Sequence, residues 1–142
     1  MRTFFRAAAL AFLPLPALAA PVCDMRGAEP LEVFETAKAA FLKGDFKSFA
    51  RVTTTLVKGG PAAFGDAVGS LEGLFPNGFE SCQTVVQRID VGGMVQEIST
   101  FNIKGLKGPM SVYLLALPTR GSLEISYVTF DTTMSKVLNE LR

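Results

Sequence analysis

The sequence contains neither histidine nor tryptophan. Without histidine, the chain lacks the usual general base near neutral pH and the partner that activates a serine or cysteine nucleophile. It also lacks the commonest metal ligand. The chain has no Gly-x-x-x-x-Gly-Lys-Ser/Thr loop and no Gly-x-Gly-x-x-Gly stretch. These absences argue against triad hydrolases, histidine metalloenzymes and nucleotide-binding enzymes.

Cysteine is scarce too, since the chain contains only Cys23 and Cys82 and no Cys-x-x-Cys pair. Two distant cysteines without histidine make a poor redox pair and a poor metal site, so we expect no cofactor and no metal. In an oxidising compartment a Cys23–Cys82 disulfide is the expected state, with an intermolecular bridge or two thiols as alternatives. The disulfide would join an N-terminal arm to the first long strand and would contribute about 4 kcal/mol in the chain-entropy model.

The first 19 residues have the pattern of a signal peptide. Arg2 and Arg6 precede the apolar run AAALAFLPLPAL, and an Ala-Leu-Ala sequence predicts cleavage before Ala20. The run is too short, and too interrupted by Pro14 and Pro16, to span a membrane. A buried N-terminal helix is the alternative. The sequence therefore predicts a periplasmic or secreted protein with no membrane span after cleavage.

Cleavage would leave an N-terminal arm, residues 20–29, and one domain, residues 30–142. Removing both arginines of the signal peptide leaves 12 basic and 13 acidic residues. This nearly neutral balance, without a basic block, argues against a nucleic-acid partner.

Residues 79–130 read as four consecutive strands separated by glycine turns. The four runs are FESCQTVVQRID, GMVQEISTFNIK, PMSVYLLALP and SLEISYVTF. Such short connections favour an antiparallel meander, because parallel strands need long crossovers.

The third strand of this meander is apolar at both parities. Val112 and Leu114 would face one side of the sheet, while Tyr113, Leu115 and Leu117 would face the other. A strand with this pattern is typically buried on both faces of its sheet. We therefore expect a helix, a partner subunit or a ligand on the second face. In the fourth strand, simple alternation places Tyr127 on the same face as Leu123 and Ile125.

Helices are predicted before and after the meander. The first follows Pro30, with Glu35 outside its apolar stripe and Lys38 snorkelling at the edge of the stripe. The second follows Asp45, a candidate N-cap, and extends to Val57. The third spans residues 61–74, with a glycine every fourth residue that would permit close approach to the sheet. A short C-terminal helix follows Asp131, its candidate cap.

This order of helices and strands resembles the nuclear-transport-factor-2-like, cystatin-like cone superfamily. The closest local match is an aromatic-studded helix that runs into a Gly-Asp-Phe turn, with Phe34, Phe41 and Gly44-Asp45-Phe46. The resemblance covers roughly residues 30–130 and implies an α+β fold with N-terminal helices packed on a curved four-stranded antiparallel sheet. The superfamily hosts isomerases, dehydratases and many binding modules, so function has to be argued from the site.

Five side chains are candidate binding residues: Arg88, Glu97, Phe101, Tyr113 and Tyr127. Tyr113 and Tyr127 lie on adjacent strands and could face the cone interior together. Glu97 could pair with Arg88 across a hairpin or project into the cone beside Phe101.

We expect an exported, non-enzymatic binding module. Its partner would be a small apolar molecule or another envelope protein, held at the cone mouth or on the outer face of the sheet. One alternative is an isomerase or lyase that combines a carboxylate with Tyr113 or Tyr127 inside the cone; phenylalanines filling the cone would argue against it. The other is a structural homodimer that associates through the outer face of the sheet.

Overall fold

The computed structural model describes residues 20–53 and 60–141, so the predicted signal peptide lies outside the described residues. A five-stranded sheet has helices on both faces. The elements in chain order are β1 (Asp24–Met25), α1 (Glu32–Leu42), α2 (Phe46–Thr53), α3 (Gly60–Leu74), β2 (Ser81–Ile89), β3 (Val95–Asn102), β4 (Pro109–Thr119), β5 (Ser122–Asp131) and α4 (Met134–Leu138).

The sheet confirms the predicted antiparallel meander and adds one strand. The strands lie in sequence order, β1 to β5, and β2 to β5 pair antiparallel. The short β1 pairs parallel with β2, which the prediction of four strands missed. β1 forms where the arm is held against β2 by the predicted Cys23–Cys82 disulfide, which the structure confirms.

Helices α1, α2 and α3 cover one face of the sheet, called here the inner face. Phenylalanine rings fill the layer between them and the sheet. The Phe41 ring contacts those of Phe46, Phe49, Phe79 and Phe101 at centroid distances of 4.8–5.3 Å. All five side chains are buried. The cone interior is therefore closed by its own aromatic core.

Helix α4 covers part of the opposite face, called here the outer face. Val137 packs there against Ile98 and Tyr113, and all three are buried. The doubly apolar third strand, β4, thus has helices on both faces, as its sequence pattern predicts. The prediction that Asp131 caps α4 was wrong, because Thr133 is the N-cap and has no side-chain cap hydrogen bond. Asp131 Oδ1 instead accepts a hydrogen bond from the Thr133 backbone N–H at 2.7 Å, in the turn between β5 and α4.

Two β-bulges change which face a side chain occupies. In β5, Tyr127 lies opposite Leu115 and Ile125 lies opposite Ala116, which leaves Ser126 as the extra residue. Simple alternation had placed Ile125 and Tyr127 on one face; the bulge puts Ile125 inside and Tyr127 outside. In β2, Val85 is the extra residue.

The close backbone approach in this fold occurs at two turns. Gly44 follows α1 and Gly78 precedes β2, with φ values of 74° and 69°. A Cβ atom on Gly78 would collide with the Leu42 carbonyl oxygen and would lie 2.6 Å from the Gly44 nitrogen. The prediction for α3 was wrong, because its repeated glycines are exposed and a methyl group on any of them would have no neighbour within 4 Å; they are Gly65, Gly69 and Gly73.

Candidate functional site

A buried charge cluster lies at the inner face between α1 and β3. Lys38 Nζ lies 2.6 Å from Glu35 Oε1 and 2.7 Å from Glu97 Oε1. The three residues are 1%, 4% and 0% exposed. The predictions for α1 were therefore wrong, since Lys38 does not snorkel and Glu35 does not lie outside the buried stripe.

Hydroxyl and amide groups complete this cluster. Thr84 and Ser99 each approach Glu97 Oε1, at 3.3 and 3.2 Å. Gln87 donates to Glu97 Oε2 at 3.2 Å. Burying charges is costly unless they are paired and hydrogen-bonded, and these contacts meet that requirement for Glu97.

The N-terminal arm closes the cluster from outside. The Val22 backbone N–H donates to Glu35 Oε2 at 2.7 Å. The Gln87 side chain both accepts from the Glu29 backbone N–H, at 2.8 Å, and donates to the Glu29 carbonyl, at 2.7 Å. With the disulfide beside it, the arm excludes solvent from Glu35 and Lys38, so the geometry is that of a structural core network.

The five predicted binding residues fall on two sides of the sheet. Glu97 and Phe101 lie on the inner face, and Phe101 belongs to the aromatic core. Tyr113 and Tyr127 lie on the outer face, not inside the cone. The sheet therefore separates Glu97 from both tyrosines.

Arg88 does not pair with Glu97 across the β2–β3 hairpin. The register places Gln87 opposite Glu97 and Arg88 opposite Gln96. Arg88 instead forms an ion pair with Asp90 at 2.8 Å. The Val85 bulge places Gln87 opposite Glu97, because in the register that precedes the bulge Val86 would occupy that position.

A cleft opens on the outer face where α4 ends. It has a volume of about 290 Å³ and is lined by Met94, Tyr113, Leu115, Leu117, Tyr127 and Glu140; this set is the outer-face cleft. The Tyr113 and Tyr127 rings meet edge to face, with centroids 5.9 Å apart. The parity of β4 predicted that Tyr113, Leu115 and Leu117 share a face, whereas Glu140 and Met94 were missed.

Hydrogen bonds fix both phenols of the outer-face cleft. Tyr113 donates to Gln96 Oε1 at 2.9 Å, and the buried Gln96 amide donates to Asp90 Oδ2 at 3.1 Å. Tyr127 donates to Glu140 Oε2 at 3.1 Å. The aromatic wall is thus preorganised, since each ring is held at its hydroxyl end.

Two other clefts are more open. One, of about 570 Å³, lies at the cone mouth between α1 and the β4–β5 turn and includes Val52. The other, of about 440 Å³, lies beside Leu74 and Leu106 near the turn that precedes β2.

Within the described residues, no helix is long and apolar enough to cross a membrane. The same part of the chain contains no group of three acidic or cysteine side chains arranged to hold a metal ion.

The architecture defines a small α+β protein with a curved sheet, and known structures with similar folds exist. No family model and no curated protein matches the chain. A DUF4783 family protein from Bacteroides uniformis is similar at 16% identity and a TM-score of 0.49, over 70% of this chain and 95% of that one. Aln2 from Streptomyces is similar at 15% identity and a TM-score of 0.46, over 76% of this chain and 90% of Aln2.

The Orange Carotenoid Protein of Anabaena is similar at 12% identity and a TM-score of 0.44. The match covers 92% of this chain but only 44% of that protein. These likenesses concern the arrangement of helices and strands. At such identities and TM-scores they carry no argument about function.

Proposed function

We propose that this protein is an exported binding module that holds a small apolar molecule in the outer-face cleft. The observation that carries the proposal is the combination of apolar walls, Leu115 and Leu117, with two fixed aromatic rings, Tyr113 and Tyr127, around one concave space. Binding sites for small molecules are typically concave, apolar and largely preformed, with few polar groups.

The volume of the cleft suits a ligand of one or two rings. A cavity of about 150 Å³ lined by aliphatic and aromatic side chains is large enough for benzene. The outer-face cleft, at about 290 Å³, is roughly twice that size. The cone interior offers no comparable support for ligand binding, because Phe41 and the rings around it occupy that layer.

A dye-binding experiment tests the proposal. N-phenyl-naphthylamine is a neutral dye whose fluorescence rises in apolar surroundings, and we expect it to bind the protein. Leu117→Ser removes one wall of the cleft at a side chain that is 37% exposed. We expect this variant to bind the dye about tenfold more weakly, since tenfold corresponds to about 1.4 kcal/mol, close to the contribution of one leucine contact surface.

Val91→Ser is the matched control. Val91 is fully exposed in the β2–β3 turn and does not line the cleft, so its loss removes surface hydrophobicity alone. Equal loss of dye binding in both variants would mean unspecific adsorption and would overturn the proposal. Native mass spectrometry of the untreated protein separates the alternatives: a bare dimer would favour the homodimer, and a protein adduct would favour a macromolecular partner.

A further inference from the structure

One end of the sheet presents two exposed leucines around a single cleft. Leu106 lies in the β3–β4 turn, residues 103–108, and Leu74 is the last residue of α3. Their side chains are 64% and 71% exposed, and both line the open cleft of about 440 Å³. Leu74 and Leu106 together are called here the leucine patch. Singly scattered apolar residues are normal on a protein surface, whereas adjoining ones point to a contact surface.

The β3–β4 turn holds Leu106 at the surface in a defined backbone conformation. The Leu106 backbone N–H donates to the Ile103 carbonyl at 3.2 Å, and Gly105 has a φ of 75°. The Ile103 side chain is buried in the core cluster of the inner face, which anchors the start of the turn. Because the turn is already ordered, covering Leu106 with a partner costs little further conformational entropy.

Two lysines flank Leu106 in this turn. Residues 103–108 contain Lys104 and Lys107 and no acidic residue. Both lysines are exposed, and neither forms an ion pair with another described residue. Lys104 lines the cleft together with the leucine patch, and among the described residues of that lining Glu80 is the only acidic one. The turn therefore presents positive charge directly beside apolar surface.

Leucine beside lysine is the composition of protein surfaces that bind at the interface of an anionic bilayer. The apolar side chains enter the boundary between headgroups and acyl chains, while the lysine ammonium groups reach the lipid phosphates on their flexible stems. A protein partner fits this surface less well, because lysine is depleted at protein–protein interfaces and leucine is under-represented at their hot spots. The charge of the turn thus complements an anionic lipid surface.

We propose that this end of the protein docks on the surface of an anionic bilayer. Leu74 and Leu106 insert at the level of the headgroups, and Lys104 and Lys107 lie beside the lipid phosphates. The leucine patch does not line the outer-face cleft, so this inference does not depend on a ligand there. The docking would hold the protein at a membrane surface and leave the cleft accessible.

Cosedimentation of the purified protein with lipid vesicles tests the proposal. One set of vesicles contains equal parts of phosphatidylcholine and phosphatidylglycerol, and the other contains phosphatidylcholine alone. We expect about fivefold stronger binding to the anionic vesicles, because each lysine favours it about fivefold and Glu80 opposes it by a similar factor. Added salt should reduce this difference, because it screens the charges of exposed side chains.

Leu106→Ser tests the apolar contribution to this docking. We expect the variant to bind the anionic vesicles about tenfold more weakly, because it removes one inserted leucine. Val91→Ser is the matched control and should not change vesicle binding. Val91 is also fully exposed, but it lies in the β2–β3 turn, which the antiparallel pairing puts at the opposite end of the sheet.

Single charge changes test the electrostatic contribution. Lys104→Gln should weaken binding to the anionic vesicles about fivefold and leave binding to the neutral vesicles unchanged. Glu80→Gln should strengthen binding to the anionic vesicles by a similar factor. Arg120→Gln is the matched control, because it removes an exposed cation from the β4–β5 turn at the opposite end of the sheet, and it should have no effect.

The outcomes separate a lipid surface from other partners. No binding to the anionic vesicles, or equal binding to both kinds, would overturn the proposal. Equal losses in Leu106→Ser and Val91→Ser would mean unspecific adsorption and would overturn it too. A concentration-dependent dimer that Leu106→Ser abolishes, without vesicle binding, would assign the leucine patch to a second copy of the chain instead.

The same variants keep this inference distinct from the proposed function. Leu106→Ser should retain the dye affinity of the outer-face cleft, and Leu117→Ser should retain vesicle binding. Each proposal can therefore fail while the other holds. Circular dichroism melting curves of every variant confirm that a lost affinity is not a lost fold.

Discussion

Lys38 holds together two carboxylates that would otherwise repel each other inside the protein. Its ammonium contacts Glu35 and Glu97 at 2.6 and 2.7 Å, and all three side chains are shielded from water. A buried ion pair adds little net stability compared with apolar residues, but removing one partner leaves an uncompensated buried charge. The cluster is therefore most sensitive to the loss of its single cation.

We expect Lys38→Met to lower the free energy of unfolding by about 3–5 kcal/mol, the cost of breaking a buried ion pair. Urea denaturation of the purified variant measures this. Lys47→Met, at an exposed position of α2, is the control and should change stability by less than about 0.5 kcal/mol. A triple variant with methionine at positions 35, 38 and 97 should recover part of the loss, because no buried charge remains unpaired.

The residue types of this cluster could be read from the sequence, but their partners could not. Lys38 interrupts an apolar stripe, and such a position is compatible with snorkelling or with burial. The choice depends on Glu97, which comes from β3, and on the arm that excludes water. Contacts between side chains so distant in sequence depend on register, which periodicity does not specify.

The close packing of two glycines could not be predicted from periodicity either. The sequence predicted a turn at Gly44, and in the structure Gly44 and Gly78 both have a positive φ between two elements. The contact between these two glycines depends on how the turn after α1 packs against the turn before β2. The Phe79 backbone N–H donates to the Leu42 carbonyl and joins the two turns. The repeated glycines of α3, which look more regular in the sequence, face solvent.

At the scale of elements, the long strands were predictable and their bulges were not. Alternation correctly grouped Tyr113, Leu115 and Leu117 on one face of β4. The bulge at Ser126 then turned Tyr127 to the same face, and this brought the two tyrosines together. One extra residue in a strand therefore created the aromatic wall of the candidate site.

Helix α4 is short, so contacts in the turn before it help to hold the helix beside the outer-face cleft. The Thr133 backbone N–H and the Lys136 ammonium, 3.0 Å from Oδ2, both contact the Asp131 carboxylate. The backbone hydrogen bond, more than the lysine, holds the pKa of Asp131 below its ordinary value of 3.8. The carboxylate thus favours the folded position of α4 in its ionised form.

We expect Asp131→Ala to lower the free energy of unfolding by about 1 kcal/mol, the usual net contribution of one hydrogen bond, here the bond from the Thr133 backbone N–H. A folded pKa below the unfolded pKa contributes stability above the unfolded value and loses it as the pH falls through the folded value. The difference between wild type and variant should therefore be full at pH 7 and should shrink below pH 3.8, as measured by urea denaturation across the pH range.

Asp45→Ala is the control that separates α4 from general stability. Asp45 accepts a hydrogen bond from the Ser48 backbone N–H at 3.0 Å and starts α2, on the other face of the sheet. Asp131→Ala should weaken dye binding in the outer-face cleft, because Glu140 follows α4, whereas Asp45→Ala should not. Equal dye affinities for both variants would show that α4 does not shape the cleft.

At the scale of the whole molecule, the two faces of the sheet have different roles. The inner face carries the aromatic core and the charge cluster closed by the arm, whereas the outer face carries α4 and the cleft. The disulfide is compatible with the expected export to an oxidising compartment. The N-terminal pattern and the two cysteines predicted an exported protein with a disulfide. Which side chains form the core and which line the cleft could be assigned only from the strand register.

The arm provides a test of this division, because the disulfide and the charge cluster lie at the inner face and the cleft at the other. Cys23 and Cys82 are separated by 59 positions, so replacing both with alanine should cost about 2–5 kcal/mol of stability. Hydrogen exchange should accelerate at the Val22 and Glu29 amides, which hold the arm to Glu35 and Gln87, but not at Val112 in the central sheet. The dye affinity of the folded variant should stay unchanged. Weaker dye binding would mean that the arm and the outer-face cleft are coupled through the sheet, and the two faces would then have to be treated as one site.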